Sequence, residues 1–464
     1  MNKKINKLEA NTPSKHIQQH FKELLNIYLH NPCFTDAAFL NPPNPYVRPL
    51  RTNDTLNINY DSAVTLPEVY TNKNLIINKL LLNIYEQDLL FLANGNACEA
   101  KKDFANFYNP YYTAIGKALL PKLEQLAFNF LKDEIEIIGN WTKPKLLDYL
   151  INTILEQEKE TSELCEVIVG SNNPIRAAKM LLIQMAPDFL SEASAMARAL
   201  PGSFGIEQSE LMKVFIDEYG YGVHETKHST LFEVTMLSAN LNPTIHYYYN
   251  DYLATSLMLV NYFHCICKNK SDWFKYIGTL YYTEASIPHF NKQISKTLKN
   301  ILPNINTKYF DEHVHIDKHH RRMVLEKIIA TSIDKYGEEI IEDILFGFEA
   351  FKLLQNLADT DLEKQIQFSD QLDESYFPSN YTLLAENLTF NETELEITSA
   401  HLHADDELFQ VTRGELIFYP NSLSPITLKA NHRIVIPKGR LHSTVSQSAN
   451  TQYVVQPIEI STGA

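Results

Sequence analysis

The hydrophobic period of this 464-residue chain changes once, after residue 378, and that change restricts the folds open to it. Upstream, apolar residues recur three and four positions apart through long stretches, and the whole chain holds only 14 glycines to interrupt them. That spacing predicts amphipathic helices. Downstream, the runs LEITSAHLH, LFQVTRGELIFYP, PITLKA, HRIVIPKG and TQYVVQPIEI alternate apolar and polar residues, as half-buried strands do. A helix-period sequence does not settle as a sheet, nor the reverse. The chain is therefore expected to be multidomain and mainly α, with a small β-barrel appended. Its length exceeds what one ordinary core supports and predicts two or three domains.

Residues 1–135 read as a helical N-terminal domain, a scaffold or dimerisation unit, in which LNPPNPYVRPL cannot be helix interior. Residues 136–360 carry six or seven long helical patterns and predict a bundle. Residues 361–378 read as a polar connection and 379–464 as the barrel. The formal charge of −15 argues against nucleic acid and is compatible with a small cationic substrate. The N-terminus MNKKINKLEANTPSKH lacks the apolar stretch of a secretory signal. The segment LATSLMLVNYFHCIC is too short and interrupted to span a bilayer, so a cytoplasmic location away from membranes is the expectation. Five cysteines form no framework of spaced pairs, and Cys265 and Cys267 read as buried thiols rather than a metal clip.

Two short strings near the C-terminus describe one metal site. The first is His401-Leu402-His403, then Glu407 and Gly414; the second is Pro437-Lys438-Gly439-Arg440-Leu441-His442. Histidines at i and i+2 on a strand point the same way, and a third histidine arriving from a Pro-Gly turn completes a facial set. Three neutral imidazoles, with or without the Glu407 carboxylate, suit a first-row metal that keeps positions open. The spacing HxH, three residues, E, six residues, G, followed by PxGxxH, resembles the cupin signature. The resemblance implies a cupin β-barrel binding metal through His401, His403 and His442, and leaves Glu407 open because some cupins bind iron through three histidines alone.

A second constellation lies in the helical part. In HVHIDKHH, the offsets of four and three place His313, Asp317 and His320 on one helical face, whereas His315 and His319 fall off it. Such a face is costly to bury unless it binds something; taken alone, it reads equally well as a solvated charged face. Glu192, Glu218 and Glu284 each interrupt an apolar face on another helical pattern. Inward carboxylates with paired histidines are how bundles build two-metal sites, and the donor set favours iron or manganese over zinc. Glu218 and His228 are ten residues apart, roughly 80° and ~15 Å on a straight helix. They can share a site only if the helix breaks, which Gly220 and Gly222 would permit. Glu225 with His228, at i and i+3, is the alternate pair.

The string H, three residues, D, two residues, H resembles the last ligand helix of the heme-oxygenase-like di-iron oxygenases. That resemblance implies a di-iron site of Glu192, Glu218, His228, Glu284, His313, Asp317 and His320. Followed by a cupin, the arrangement resembles the N-nitrosourea-forming di-iron/cupin oxygenases of the streptozotocin-biosynthesis type. The resemblance implies two iron ions in the bundle and one in the cupin, O2 as cosubstrate, an external electron donor and a homodimer. It implies N-hydroxylation of the guanidine of an Nω-methyl-L-arginine-like substrate and rearrangement to an N-nitrosourea. Two other readings stand beside it: a di-iron N-oxygenase or C–C-cleaving oxidase of another amine with an auxiliary cupin, and a non-enzymatic metal-sensing scaffold.

Overall fold

In the computed structural model, helices occupy the chain as far as Asp373 and strands follow from Tyr381. The structure describes residues 15–34, 44–93, 97–373, 381–383, 388–392 and 397–460. The N-terminal block comprises α1 (Lys15–Leu29), α2 (Thr52–Asn57), α3 (Asn72–Glu86), α4 (Ala97–Phe107), α5 (Pro110–Phe128) and α6 (Leu131–Glu134). Helix starts follow their local chemistry: the Asn109 side chain accepts from the Tyr111 amide, and Pro110 occupies the first turn of α5. Helix α3 is buried on all sides from Asn74 to Glu86. Two of its asparagines are paired internally: Asn78 Nδ2 donates to Asn74 Oδ1 at 2.7 Å, and Asn261 Nδ2 donates to the Asn78 carbonyl at 2.8 Å.

The remaining helices are α7 (Lys143–Gln157), α8 (Glu163–Gly170), α9 (Pro174–Phe189), α10 (Ile206–Glu218), α11 (His228–Ser238), α12 (Ala254–Lys268), α13 (Trp273–Ile301), α14 (Lys308–Met323), α15 (Ala330–Tyr336) and α16 (Ile341–Asp373). One apolar core joins Leu80, Leu81 and Tyr85 of α3 to Met258, Ile277 and Phe348 of the central helices, so the packing runs unbroken across residue 135. The long helices α13 and α16 approach backbone to backbone: a Cβ at Gly278 would collide with the Ile344 carbonyl, and one at Gly347 with that of Lys275.

The polar connection expected at 361–378 is instead helix through Asp373, and residues 374–378 lie outside the described residues. The segment is polar on average, yet Leu362 and Ile366, four apart, are buried on one face and Phe368 on another. Phe368 belongs to the core of the β domain, so α16 is the element on which that domain docks.

The strands are β1 (Tyr381–Leu383), β2 (Leu388–Glu392), β3 (Ile397–His401), β4 (Asp406–Arg413), β5 (Glu415–Tyr419), β6 (Ile426–Lys429), β7 (Arg433–Ile436), β8 (His442–Ser446) and β9 (Thr451–Ile460). All the pairings are antiparallel; one sheet runs β1-β9-β4-β7 with β2 also on β9, and the other β3-β8-β5-β6. Phe409, Val411, Leu416, Phe418, Ile436 and Val455 fill the space between them. The domain is pinned to the helices by a buried Arg440–Asp361 ion pair at 2.9 Å. Gln365 adds a clamp, accepting from the Leu441 amide and donating to the carbonyls of Leu441 and Pro420. Among the described residues no helix is long and apolar enough to cross a membrane.

Candidate metal centres

The local backbone decides whether the bundle candidates can meet. The helix expected to run through Glu218 and His228 breaks between them. After Glu218 closes α10, Gly220, Tyr221 and Gly222 take φ of 57°, 54° and 80°, three successive left-handed residues. The chain folds back and α11 begins at His228. His228 Nδ1 consequently lies 2.6 Å from Glu218 Oε2. The alternate Glu225 sits in the exposed turn, outside the cluster. Glu192 departs from expectation differently: α9 ends at Phe189, and Glu192 lies in the turn that follows, beside Ala193 at φ 62°. Pro187 and the left-handed residue stop the helical pattern there.

Two groups of possible ligand atoms result, Glu192, Glu218, His228 and His313 in one, and Glu218, Glu284, Asp317 and His320 in the other. Glu218 belongs to both. Its Oε2 lies 2.6 Å from His228 and 3.8 Å from His313, while its Oε1 lies 3.6 Å from His320 Nδ1. One carboxylate thus offers one oxygen to each subsite, as a bridging ligand does. His315 and His319 are exposed on the outer side of α14.

The imidazoles are oriented from behind. His313 Nδ1 donates to the Tyr309 carbonyl at 2.8 Å, which leaves Nε2 facing Glu192 at 3.1 Å. Tyr309 Oη donates to the same Glu192 oxygen at 2.9 Å. His320 Nε2 contacts Asp217 Oδ2 at 2.8 Å, so its Nδ1 faces Glu284, Asp317 and Glu218. Asp217 was not among the sequence candidates. It adjoins Glu218, and only the termination of α10 at that point lets both carboxylates reach the cluster. Burial disfavours charge on His320, yet Glu284, Asp317 and Glu218 outweigh it and raise the imidazole to about 12. Burial raises the Asp317 carboxyl to about 7.

The β domain holds the third group. His401 ends β3 and faces His442, the first residue of β8, in register; His403 lies just past the strand end, where the Gly439 amide holds its carbonyl at 2.9 Å. The three rings lie 4.4, 4.7 and 5.0 Å apart, centre to centre. Each Nδ1 has a partner: Ser399 O at 2.6 Å for His401, Arg440 O at 3.0 Å for His442, and Glu407 Oε1 at 3.0 Å for His403. Carbonyl oxygens only accept, so Nδ1 carries the proton in His401 and His442, and Nε2 is left with a lone pair. Glu407 meets His403 from behind and is not part of the converging group. Burial and the neighbouring imidazoles depress His401 to about 3 and hold His442 well below its ordinary value. His401 and His442 are accordingly neutral at ordinary pH.

A cavity of about 560 Å³ is lined by Asp188, Phe189 and Ala285, which neighbour the bundle cluster in the chain or in space, but by none of its seven donors. Its lining includes Glu158, Glu160, Glu163, Asp188, Asp359 and Glu363, and neither lysine nor arginine. Burial, with Glu192 and Glu218 adding to it, raises the Asp188 carboxyl to about 7. The pattern that hides Asp188 in the sequence is its place at the end of an ordinary amphipathic helix.

Comparison with known proteins now bears on these centres. Residues 179–356 match a family model described as an iron-containing redox enzyme. The chain is 38% identical over 441 residues to the nitrosourea synthase of Streptomyces achromogenes subsp. streptozoticus, covering 93% of this chain and 94% of that one. The chain belongs to the nitrosourea synthase family. Among solved structures, a heme-oxygenase-like domain of unknown function from Shewanella denitrificans OS217 overlaps with a TM-score of 0.38 at 15% identity, covering 50% of this chain and 96% of that one. A cupin-2 domain protein from Shewanella frigidimarina NCIMB 400 overlaps with a TM-score of 0.14 at 26% identity, covering 20% of this chain and 91% of that one.

As a member of the nitrosourea synthase family the protein is an iron-dependent oxidoreductase, its helical region heme-oxygenase-like and its β domain cupin-like. The residues present fit iron. Glu192 Oε2 and Asp317 Oδ2 are buried without a hydrogen-bond partner, and Glu218 Oε2 and His228 Nδ1 are buried facing each other at 2.6 Å, a costly arrangement that a hard cation relieves. Four carboxylates among seven donors would offset two divalent ions. The cupin-like triad brings no charge of its own.

Proposed function

We propose that this protein uses O2 at two iron centres in sequence. The bundle, at a two-iron site, N-hydroxylates the guanidine of an arginine derivative such as Nω-methyl-L-arginine. The cupin-like domain, holding one iron through His401, His403 and His442, rearranges the hydroxylated guanidine to an N-nitrosourea. The observation that carries the reading is Glu218, whose two oxygens face two separate donor groups. Bound iron would supply O2 activation with electrons from an external donor.

The side chains of the protein do the rest. Glu192, Glu218, His228 and His313 would hold one bundle ion, and Glu218, Glu284, Asp317 and His320 the other. The acidic cavity receives a guanidinium and rejects anions. Asp188, in the cavity lining, offers a carboxylate to hold the guanidinium by charge-assisted hydrogen bonds. In the cupin-like domain, three neutral imidazoles leave the bound ion its full positive charge and open positions for a chelating hydroxyguanidine. The Streptomyces relative is a nitrosourea synthase, and its coverage of both domains supports carrying that activity to this chain.

The test is iron content and product mass in three proteins incubated with Nω-methyl-L-arginine, reductant and O2. Wild type should load three ions and release an N-nitroso product. His442→Ala should load two and accumulate hydroxylated methylarginine. His313→Ala/His320→Ala should load one and leave the substrate unchanged. A His442→Ala protein that still makes the N-nitroso product would remove the cupin-like domain from the reaction.

A further inference from the structure

The N-terminal block does more than pack against the bundle. Leu75, Lys79 and Leu82 fall four and three residues apart on one face of α3. Leu75 and Leu82 belong to the same buried cluster as Ala400, Leu402 and Leu441, residues that alternate with or adjoin the cupin-like histidines. The segment just before α3 meets the PKGRLH turn: a Cβ at Gly439 would touch Tyr70 Cβ at 3.0 Å. Helix α3 therefore shares its packing with residues that flank the histidine triad, and the residue midway along that face is a lysine.

Lys79 is 4% exposed. Among the described residues its ammonium has no ion pair; its one direct partner is the face of Tyr249, 5.1 Å from the ring centre. The acid whose charge bears on it, Asp251, accepts from the Ser422 amide at 2.7 Å. Burial lowers the ammonium to about 8, so the cation persists at neutral pH. Its charge, with that of Arg51, reaches His401. A buried ammonium resting on a ring alone is held at a cost, and α3 could have carried leucine there, as it does at 75 and 82.

The cupin-like centre lacks an anion. Its converging donors are three imidazoles, and Glu407 is engaged with His403. We propose that Lys79 is the carboxylate anchor of this centre, receiving the α-carboxylate of the amino-acid substrate while the hydroxylated guanidine meets the histidine-held ion. This rests on the reading that the substrate is an arginine-derived amino acid. The bundle cavity, lined by acids and no lysine or arginine, grips the cationic end of the molecule; the cupin-like centre grips the anionic end. Lys79 is a binding residue of the second step and has no part in the first.

The test uses the full iron-loaded chain, as wild type, Lys79→Met and Lys79→Arg, fed directly with Nω-hydroxy-Nω-methyl-L-arginine or its descarboxy counterpart. Wild type should favour the carboxylate-bearing compound in kcat/KM of the second step by about 10- to 100-fold, the worth of a charge-assisted contact. Lys79→Met should handle both alike, with KM raised by the same factor, kcat nearly kept and hydroxylation by the bundle unchanged. Lys79→Arg should restore part of the preference. The Met variant should also melt no lower than wild type, since a structural lysine would leave it destabilised. Lys79→Met with the wild-type preference overturns the anchor while the N-nitrosourea reading stands. A wild type that makes no N-nitroso product overturns that reading. In that case anaerobic binding of L-norvaline over n-butylamine, lost in Lys79→Met, would keep the anchor, and equal binding would overturn it.

Discussion

Gly220→Ala is the substitution that tests how the bundle site is assembled. On an uninterrupted helix Glu218 and His228 would be ~15 Å apart; the turn at 220–222 brings them to 2.6 Å. At Gly220 a Cβ would stand 2.5 Å from the Lys227 amide nitrogen, 2.5 Å from the Thr226 carbonyl carbon and 2.6 Å from Thr226 Oγ1. Those atoms are backbone leading directly into His228, so they can yield only by moving it. A left-handed residue with a side chain costs about 1–2 kcal/mol, and forced overpacking about 1–3 more. At Gly222, also left-handed at φ 80°, a Cβ would meet nothing within 4 Å, so Gly222→Ala bears the first cost alone. If the strain is relieved by opening the Glu218–His228 pair, it appears as weaker iron binding at the subsite containing His228. The expected loss is about 30-fold to over 1,000-fold for Gly220→Ala against about 5- to 30-fold for Gly222→Ala. Anaerobic ferrous titration of the apo protein, followed by iron counting after gel filtration, measures both. Equal iron affinity in the two variants would refute the claim that the crowded glycine sets the metal geometry.

Asp217→Asn should weaken iron binding at the His320 subsite by about 10- to 100-fold, because the carboxylate that orients the imidazole is lost; the same titration with Asp217→Glu as a partial rescue checks it. Arg440→Ala leaves the buried Asp361 without its counter-charge, only the Thr255 hydroxyl still donating to it, and should cost about 3–5 kcal/mol, read as a lower melting temperature and faster amide exchange in β8. Unchanged exchange there would mean that Gln365 and the apolar contacts dock the domain unaided. Acid stability should depend on Glu86, which burial pushes up but which Arg48 and His246 overcome, holding it at about 2. Its folded value lies below the unfolded 4.5. The stabilisation is therefore complete above pH 4.5 and lost as pH falls toward 2, about 3 kcal/mol in all. Glu86→Gln should flatten the melting curve over that window, and an unchanged slope would exclude the pair as the cause.

What was legible in the sequence were features carried by local period. His313, Asp317 and His320 share a helical face by spacing alone, and the HLH string needs only strand alternation and a following turn to converge with His442. The period was present at 361–373 too, in Leu362 with Ile366 and Phe368 with Leu372, each pair four apart, but the many acids and glutamines between them masked it. Groups that matter because of three-dimensional neighbours left no such trace. Asp217 looks redundant beside Glu218 until the helix ends between them and the turn. Asp188 looks like a surface acid until the cavity is seen beside it. Lys79 reads as an ordinary polar residue of an amphipathic helix, because nothing in the sequence says that α3 is covered on every side.

The net charge of −15 was informative in sign and silent about distribution. A uniform acidic surface and a partitioned interior give the same total, yet they bind different molecules. Here acids line the bundle cavity, while burial holds His401 and His442 neutral in the cupin-like centre. The guanidine is the reacting end at both centres, so it has to be withdrawn from the first before it meets the second. Hydroxylated guanidine should therefore exchange with solvent during turnover. A competing excess of added unlabelled intermediate should dilute isotope label out of the final product; full retention of label would mean direct transfer and would refute release.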